Sequence, residues 1–182
     1  MKRLITSCVI LLACMLQVHG QQYLSRNTSI RFVSETSLEK IVSDNPRAVT
    51  VINTTTGEVE CSVLVKGFRF EKALMQQHFN ENYLESDKFP KASFKGKLAE
   101  VPVNLDKPGK YQWTLQGELT MHGKTNPIQT IATVIVSESS TKLSCSFDIV
   151  LQDYAITIPA LVKNNIAKTV KVSVDIADLK QM

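Results

Sequence analysis

The sequence predicts an all-β protein with short helices, an antiparallel eight-stranded barrel with an apolar interior and a short helical lid. Three observations lead there. About eight stretches alternate apolar and polar residues with period two, the spacing of a half-buried strand. Short turns separate most of them, which suits antiparallel neighbours. One stretch, residues 67–98, changes period twice, from strand to helix and back. A closed barrel leaves no sheet edge for stray pairing; a two-sheet sandwich is the alternative.

The chain opens on Met1-Lys2-Arg3, followed by an uncharged apolar run over 4–18 and by Val18-His19-Gly20. A basic start, a short apolar run and small residues before a cut describe a secretory signal peptide, residues 1–20, cleaved after Gly20. A periplasmic or secreted protein is expected. A competing lipobox-like Leu11-Leu12-Ala13-Cys14 would acylate Cys14, but Met15-Leu16 continue the apolar run where a polar start is needed. Residues 21–182 are one domain's worth of chain. The formal charge of +4 loses Lys2 and Arg3 with the leader. No basic stripe of the kind that binds nucleic acid remains, and no other apolar run is long enough to span a membrane.

Residues 29–34 (SIRFVS) set Ile30 and Phe32 against Arg31, a first strand. Residues 36–43 (TSLEKIVS) space Leu38, Ile41 and Val42 as in a helical turn capped by Ser37 and broken by Asn45-Pro46. Two β-branched runs, 48–53 and 58–66, flank Thr54-Thr55-Thr56-Gly57 and read as a hairpin, with Val59, Cys61, Val63 and Val65 on one face. Phe68 and Phe70 then alternate with Arg69 and Glu71. Leu74, Met75, His78 and Phe79 follow at helical spacing, ended by Asn80 and Asn82. After Pro90, alternation returns, with Ala92, Phe94, Gly96 and Leu98 opposite Lys91, Ser93, Lys95 and Lys97. This is a sheet interrupted to cover something apolar.

Asp106-Lys107-Pro108-Gly109 is a turn. The longest alternation follows, from Tyr111 through Trp113, Leu115, Gly117 and Leu119 to Met121. One of its faces must be buried and the other wet. His122-Gly123-Lys124-Thr125 reverses the chain into a strand over 128–136. Leu143, Cys145, Phe147, Ile149 and Leu151 make the next inward face. Residues 153–159 cross over, 161–166 read as a helical turn, and Val170, Val172, Val174 and Ile176 close the sequence of strands. Cys61 and Cys145 both fall on core-facing positions, as buried thiols do; a disulfide is left open.

Large residues crowd the inward faces: Phe32, Phe70, Phe94, Trp113, Leu119, Met121, Phe147 and Ile149. Gly96 and Gly117 interrupt those faces. A barrel of this size either fills with side chains or holds one ligand, and period alone does not choose.

Three blocks resemble a known family. Met75-Gln76-Gln77-His78-Phe79-Asn80-Glu81-Asn82-Tyr83-Leu84, with Phe89-Pro90-Lys91-Ala92-Ser93-Phe94-Lys95-Gly96, resembles the lid and following strand of YceI-like proteins. Gly117-Glu118-Leu119-Thr120-Met121-His122-Gly123-Lys124-Thr125 is similar to that family's G-x-L-T-x-H-G-x-T hairpin. Asp153-Tyr154 before Ile156 and Pro159 is the third block, with Ala155 where the family often has glycine. The resemblance implies a lipocalin-like barrel with an elongated apolar tunnel. It also implies an exported bacterial protein that carries or stores a long-chain amphiphilic lipid, an isoprenoid, quinone or fatty-acid derivative, without catalysis. The residues expected to line the tunnel, picked by inward alternation and lid position, are Phe32, Phe70, Met75, Phe79, Tyr83, Phe94, Trp113, Leu119, Met121, Phe147 and Ile149. The alternative is an envelope interaction or stress module with a filled core. The sequence leaves a homodimer and transient membrane contact open.

His78, His122 and Asp153 stand in motif positions. Two histidines without a nameable third ligand fit hydrogen-bonding roles in lid and turn better than a metal site. No nucleophile elbow such as G-x-S-x-G accompanies them, so neither an enzyme nor a cofactor is expected. Lys91, Lys95 and Lys97 make a charged outer stripe on one strand, which discourages edge pairing.

Overall fold

The computed structural model describes residues 22–99, 105 and 107–182. The leader, Cys14 and Asp106 of the expected turn lie outside them. Ten strands form one antiparallel sheet: β1 (Gln22–Glu35), β2 (Lys40–Asn53), β3 (Glu58–Leu64), β4 (Arg69–Phe70), β5 (Lys91–Leu98), β6 (Gly109–Met121), β7 (Lys124–Val136), β8 (Thr141–Val150), β9 (Thr169–Ile176) and β10 (Lys180–Gln181). The eight longer strands follow one another around an antiparallel barrel, closed where β1 pairs with both β9 and β2. β4 and β10 are two-residue additions to β2 and β1.

Register fixes which links share an end. The lid end gathers the β1–β2 turn, the segment between β3 and β5, the β6–β7 turn and the crossover from β8 to β9. The far end is packed by Tyr23, Ile52, Leu98, Trp113, Val134 and Leu143, with Leu105 and Leu179 against them. The expected strand faces hold: Val59, Val63, Ala92, Leu98, Leu115, Leu119, Leu143 and Ile149 are buried.

Two local expectations are corrected. Residues 36–43 are not helical. β1 and β2 form a long hairpin in which Val33 faces Val42 and Ser34 faces Ile41. The turn is held by the Thr36 hydroxyl, which accepts hydrogen bonds from the amides of Leu38 (3.2 Å) and Glu39 (3.1 Å). Such hydroxyl–backbone bonds compete with helix, and cross-strand pairing decides. Asn45-Pro46 does not break the chain either. β2 runs through them with a register shift opposite β1 between Thr28 and Ile30. Pro46 falls in that bulge, where its missing N–H breaks no ladder bond. The buried Asn45 side chain replaces the interrupted ladder: its amide donates to the Leu64 carbonyl (2.9 Å) and its oxygen accepts from the Arg47 amide (3.1 Å).

The lid contains helix α1 (Ala73–His78), which continues as a π turn over Phe79–Tyr83. Asn80 and Asn82 therefore sit inside the turn and do not end it. Asn80 donates from its side chain to the Gln76 carbonyl at 2.8 Å, a bond that accommodates the extra residue. Met75, Phe79 and Tyr83 point toward the barrel, but Leu74 is 62% exposed. Residues 161–166 carry a short 3-10 turn, Ala160–Val162, as expected of a helical link.

Candidate functional site

Below the lid the barrel encloses a cavity of about 370 Å³, inside the range of roughly 300–1,000 Å³ typical of ligand pockets. Its wall is overwhelmingly apolar. Of the residues expected there, Phe32, Phe70, Met75, Phe79 and Tyr83 line it from the lid end. Phe94, Leu119, Met121, Phe147 and Ile149 line it from the strands. Trp113 does not line the cavity: it is buried in the far-end cluster, stacked 6.3 Å from Tyr111. Alternation distinguishes inward from outward but carries no height along the barrel axis.

Four phenylalanines roof the cavity. Phe79 stacks on Phe32 at 5.6 Å and meets Phe70 at 5.0 Å and Phe68 at 5.6 Å. Phe32 also contacts Phe68 and Phe70, both at 5.7 Å. Phe68 is missing from the expected lining, although its spacing two residues before Phe70 carries the signal. Phe79→Ala should lose bound ligand more than stability. Removing a buried phenylalanine typically costs about 3–5 kcal/mol, but a short lid at a rim relaxes and recovers part of that. Thermal midpoint and bound-ligand stoichiometry measured together decide this; a stability loss as large as a core variant's, with ligand content unchanged, would make the helix part of the core.

Thr50, Ser93 and Thr130 are polar wall residues on the strands, and a second polar group stands at the mouth. Glu39 and Asn165 lie on the cavity wall and are joined by the Asn165 amide donating at 3.0 Å. Lys72, just before α1, reaches Glu39 at 3.9 Å. His78 lies at the same opening on the exposed side of the lid. Glu39 and Asn165 fall outside the sequence expectation: a lone acid in a polar turn and an asparagine in a loop carry no pattern. Among the described residues no lysine or arginine lines the cavity.

The lid's other end is pinned. His122 and Gly123 have φ of 50° and 72°, the geometry of a two-residue hairpin turn. The His122 ring bridges the Tyr154 carbonyl from Nδ1 and the Glu85 carboxylate from Nε2, both at 2.8 Å. A carbonyl can only accept, so Nδ1 donates to Tyr154 and Nε2 faces the carboxylate. Phe89 packs edge-on against the ring at 4.9 Å. Ala155 beside Tyr154 has φ of 55°. This is left-handed backbone that favours glycine, which gives a physical reason for the glycine expected at this place. Asp153 contributes its backbone: its carbonyl accepts from the Asn126 amide at 2.8 Å. His78 and His122 thus stand apart, and among the described residues no group of three His, Cys, Asp or Glu could hold a metal ion.

The bond to His122 is the main cause holding the Glu85 carboxyl below its ordinary value of 4.5, with Lys88 assisting against partial desolvation. A lowered carboxyl contributes stability that is present above its ordinary value and is lost as pH falls through the folded one. Amide protection of residues 84–89, corrected for the intrinsic pH dependence of exchange, should therefore fall on acidification below about pH 4.5. Glu85→Gln should flatten that dependence; an unchanged profile in the variant would remove Glu85 from the linkage.

Cys61 and Cys145 are free and line the cavity. Burial raises both thiols, Cys145 up to about 12, so neither is a thiolate at neutral pH. The outer lysine stripe is matched by acids on β3: Lys95 pairs with Glu60 at 3.3 Å and Lys97 with Glu58 at 3.8 Å.

A family model described as YceI-like domain matches residues 24–177. The comparison with curated proteins returns no match. Among solved structures, a polyisoprenoid binding domain from Saccharophagus degradans, implicated in plant cell wall breakdown, is 16% identical with a TM-score of 0.69. The match covers 85% of this chain and 95% of that one. BcnA of Burkholderia cenocepacia is 15% identical with a TM-score of 0.67, over 81% of this chain and 94% of that chain. A mutant YCEI protein of Campylobacter jejuni is 13% identical with a TM-score of 0.57, over 77% and 84%. At these identities the likeness is one of fold.

Proposed function

The chain belongs to the YceI-like domain family, and from that premise we propose that it binds the apolar chain of a long-chain amphiphilic lipid. We read its role as non-catalytic carriage or storage in the periplasm or outside the cell, with the lipid drawn from and returned to a membrane. The carrying observation is the apolar cavity of about 370 Å³ roofed by Phe32, Phe68, Phe70 and Phe79. Each methylene moved there from water gains about 0.8 kcal/mol. The fold likeness to the polyisoprenoid binding domain of Saccharophagus degradans supports the same ligand class. The leader-like residues 1–20 support export. A filled-core interaction module has no use for such a space.

The wall chemistry narrows the class. A carboxylate drawn inside would meet no cation, and an unpaired buried charge is costly. Glu39, Asn165 and His78 at the mouth suit a neutral head group that donates and accepts hydrogen bonds. Organic extraction and mass spectrometry of protein purified from its host should recover an isoprenoid, quinone or related amphiphile. In displacement assays at neutral pH, a long-chain alcohol should outcompete the fatty acid of equal length. Lipid-free protein that takes up neither ligand would overturn the proposal; preference for the fatty acid would overturn the head-group assignment alone.

A further inference from the structure

Three leucines stand exposed around the mouth, each on a different segment. Leu38 of the β1–β2 turn is 67% exposed, Leu74 of α1 is 62% exposed, and Leu161 of the crossover to β9 is 98% exposed. None of them lines the cavity. Their neighbours do: Glu39, Met75 and Val162 are all on its wall. The Glu39–Asn165 hydrogen bond at 3.0 Å and the Lys72–Glu39 pair at 3.9 Å tie the three segments into one rim. An isolated exposed leucine is ordinary, but three around the exit of an apolar cavity call for a partner.

Charge narrows the partner. On this rim Lys40 is matched by Glu35 at 3.2 Å and Lys72 by Glu39; Glu71 is exposed. The crossover loop from Ala160 to Lys168 carries Leu161, Lys163 and Lys168 and no acid. Both lysines are exposed. An apolar tip flanked by cations suits the interface of an anionic bilayer, where leucine enters the acyl boundary and lysine stays among head groups.

We propose that this rim docks on an anionic membrane surface, with Leu38, Leu74 and Leu161 inserted, so that lipid passes between bilayer and cavity without crossing water. The inference rests on the lipid-binding reading. The lysine stripe of β5 is less suited to face a membrane, since two of those lysines are paired with acids.

The test uses co-sedimentation of purified protein with vesicles of phosphatidylcholine alone and with phosphatidylglycerol added. Wild type should bind the anionic vesicles preferentially. Leu161→Asp should weaken that binding on the order of tenfold, and Leu38→Ser with Leu74→Ser should weaken it further. Thermal midpoint and the amount of detergent-dispersed lipid taken up at equilibrium should be unchanged, which separates this test from that of the cavity. Equal vesicle binding by wild type and variants would overturn the proposal, as would no binding at all. Self-association lost in the same variants, seen by sedimentation without vesicles, would assign the rim to a second copy and also overturn it. If no lipid is found in the cavity but rim-dependent vesicle binding persists, the cavity reading fails and docking stands alone.

Discussion

Trp113→Ala is expected to destabilise the whole barrel by about 3–5 kcal/mol, the usual cost of removing a buried aromatic side chain. The indole is 9% exposed and sits at the centre of the far-end cluster. It stacks on Tyr111 and shares its surroundings with Leu98, Leu115 and Val134. These belong to closed strands that cannot slide inward to refill the hole, because each is held by ladder bonds on both sides. In a domain of this size each kcal/mol lowers the thermal midpoint by roughly 2–4 °C. Calorimetry should show a drop several times larger than that of Phe79→Ala. A midpoint within a degree or two of wild type would mean that the far end repacks freely.

Gly117→Ala should be the second severe lesion, from the opposite cause. Gly117 of β6 faces Gly96 of β5 across the ladder. A Cβ there would overlap the Lys95 carbonyl oxygen and the Gly96 Cα and lie 2.8 Å from the Phe94 ring. Two of these three obstacles are backbone and cannot rotate away. Overpacking of this kind typically costs about 1–3 kcal/mol, occasionally more. The ring of Phe94 lies across the two-glycine window, so the same change would push a wall residue into the cavity. Reduced stability together with reduced ligand capacity is expected. A variant with wild-type midpoint and capacity would show that β5 and β6 can separate locally.

Much of the barrel is legible in the chain because a strand reports its own faces. Period two places Phe32, Phe94, Leu119, Met121, Phe147 and Ile149 on the inner surface, where the cavity is. The change of period after Phe70 marks the lid. Other features are hidden for identifiable reasons. Leu38, Ile41 and Val42 fit one helical turn as well as a hairpin, and only pairing with Val33 and Ser34 resolves it. Asn45 reads as a breaker because its buried bond to Leu64 is a long-range event. Leu74 looks like part of an apolar face until the lid is docked and turns it outward. Glu85 meets His122 only through the folded geometry of three separate links. Trp113 reads as tunnel wall because alternation carries no axial signal, yet it is packed within the far-end cluster and does not line the cavity.

Among the described residues the far end is packed and the lid end is the opening, which has a consequence for the proposed lipid traffic. A vessel with one door cannot serve as a conduit: whatever goes in tail first comes out head first, by the same route reversed. A donor and an acceptor would have to use that door in turn, never together. On the proposed lipid-binding reading, exchange would then take place in one encounter at a time. The depth of the cavity, set by the far-end side chains that line it, such as Leu98, Leu115 and Leu143, also acts as a ruler. A chain longer than the cavity leaves its surplus outside under the lid, so exchange should slow with tail length up to the depth of the cavity and then level off.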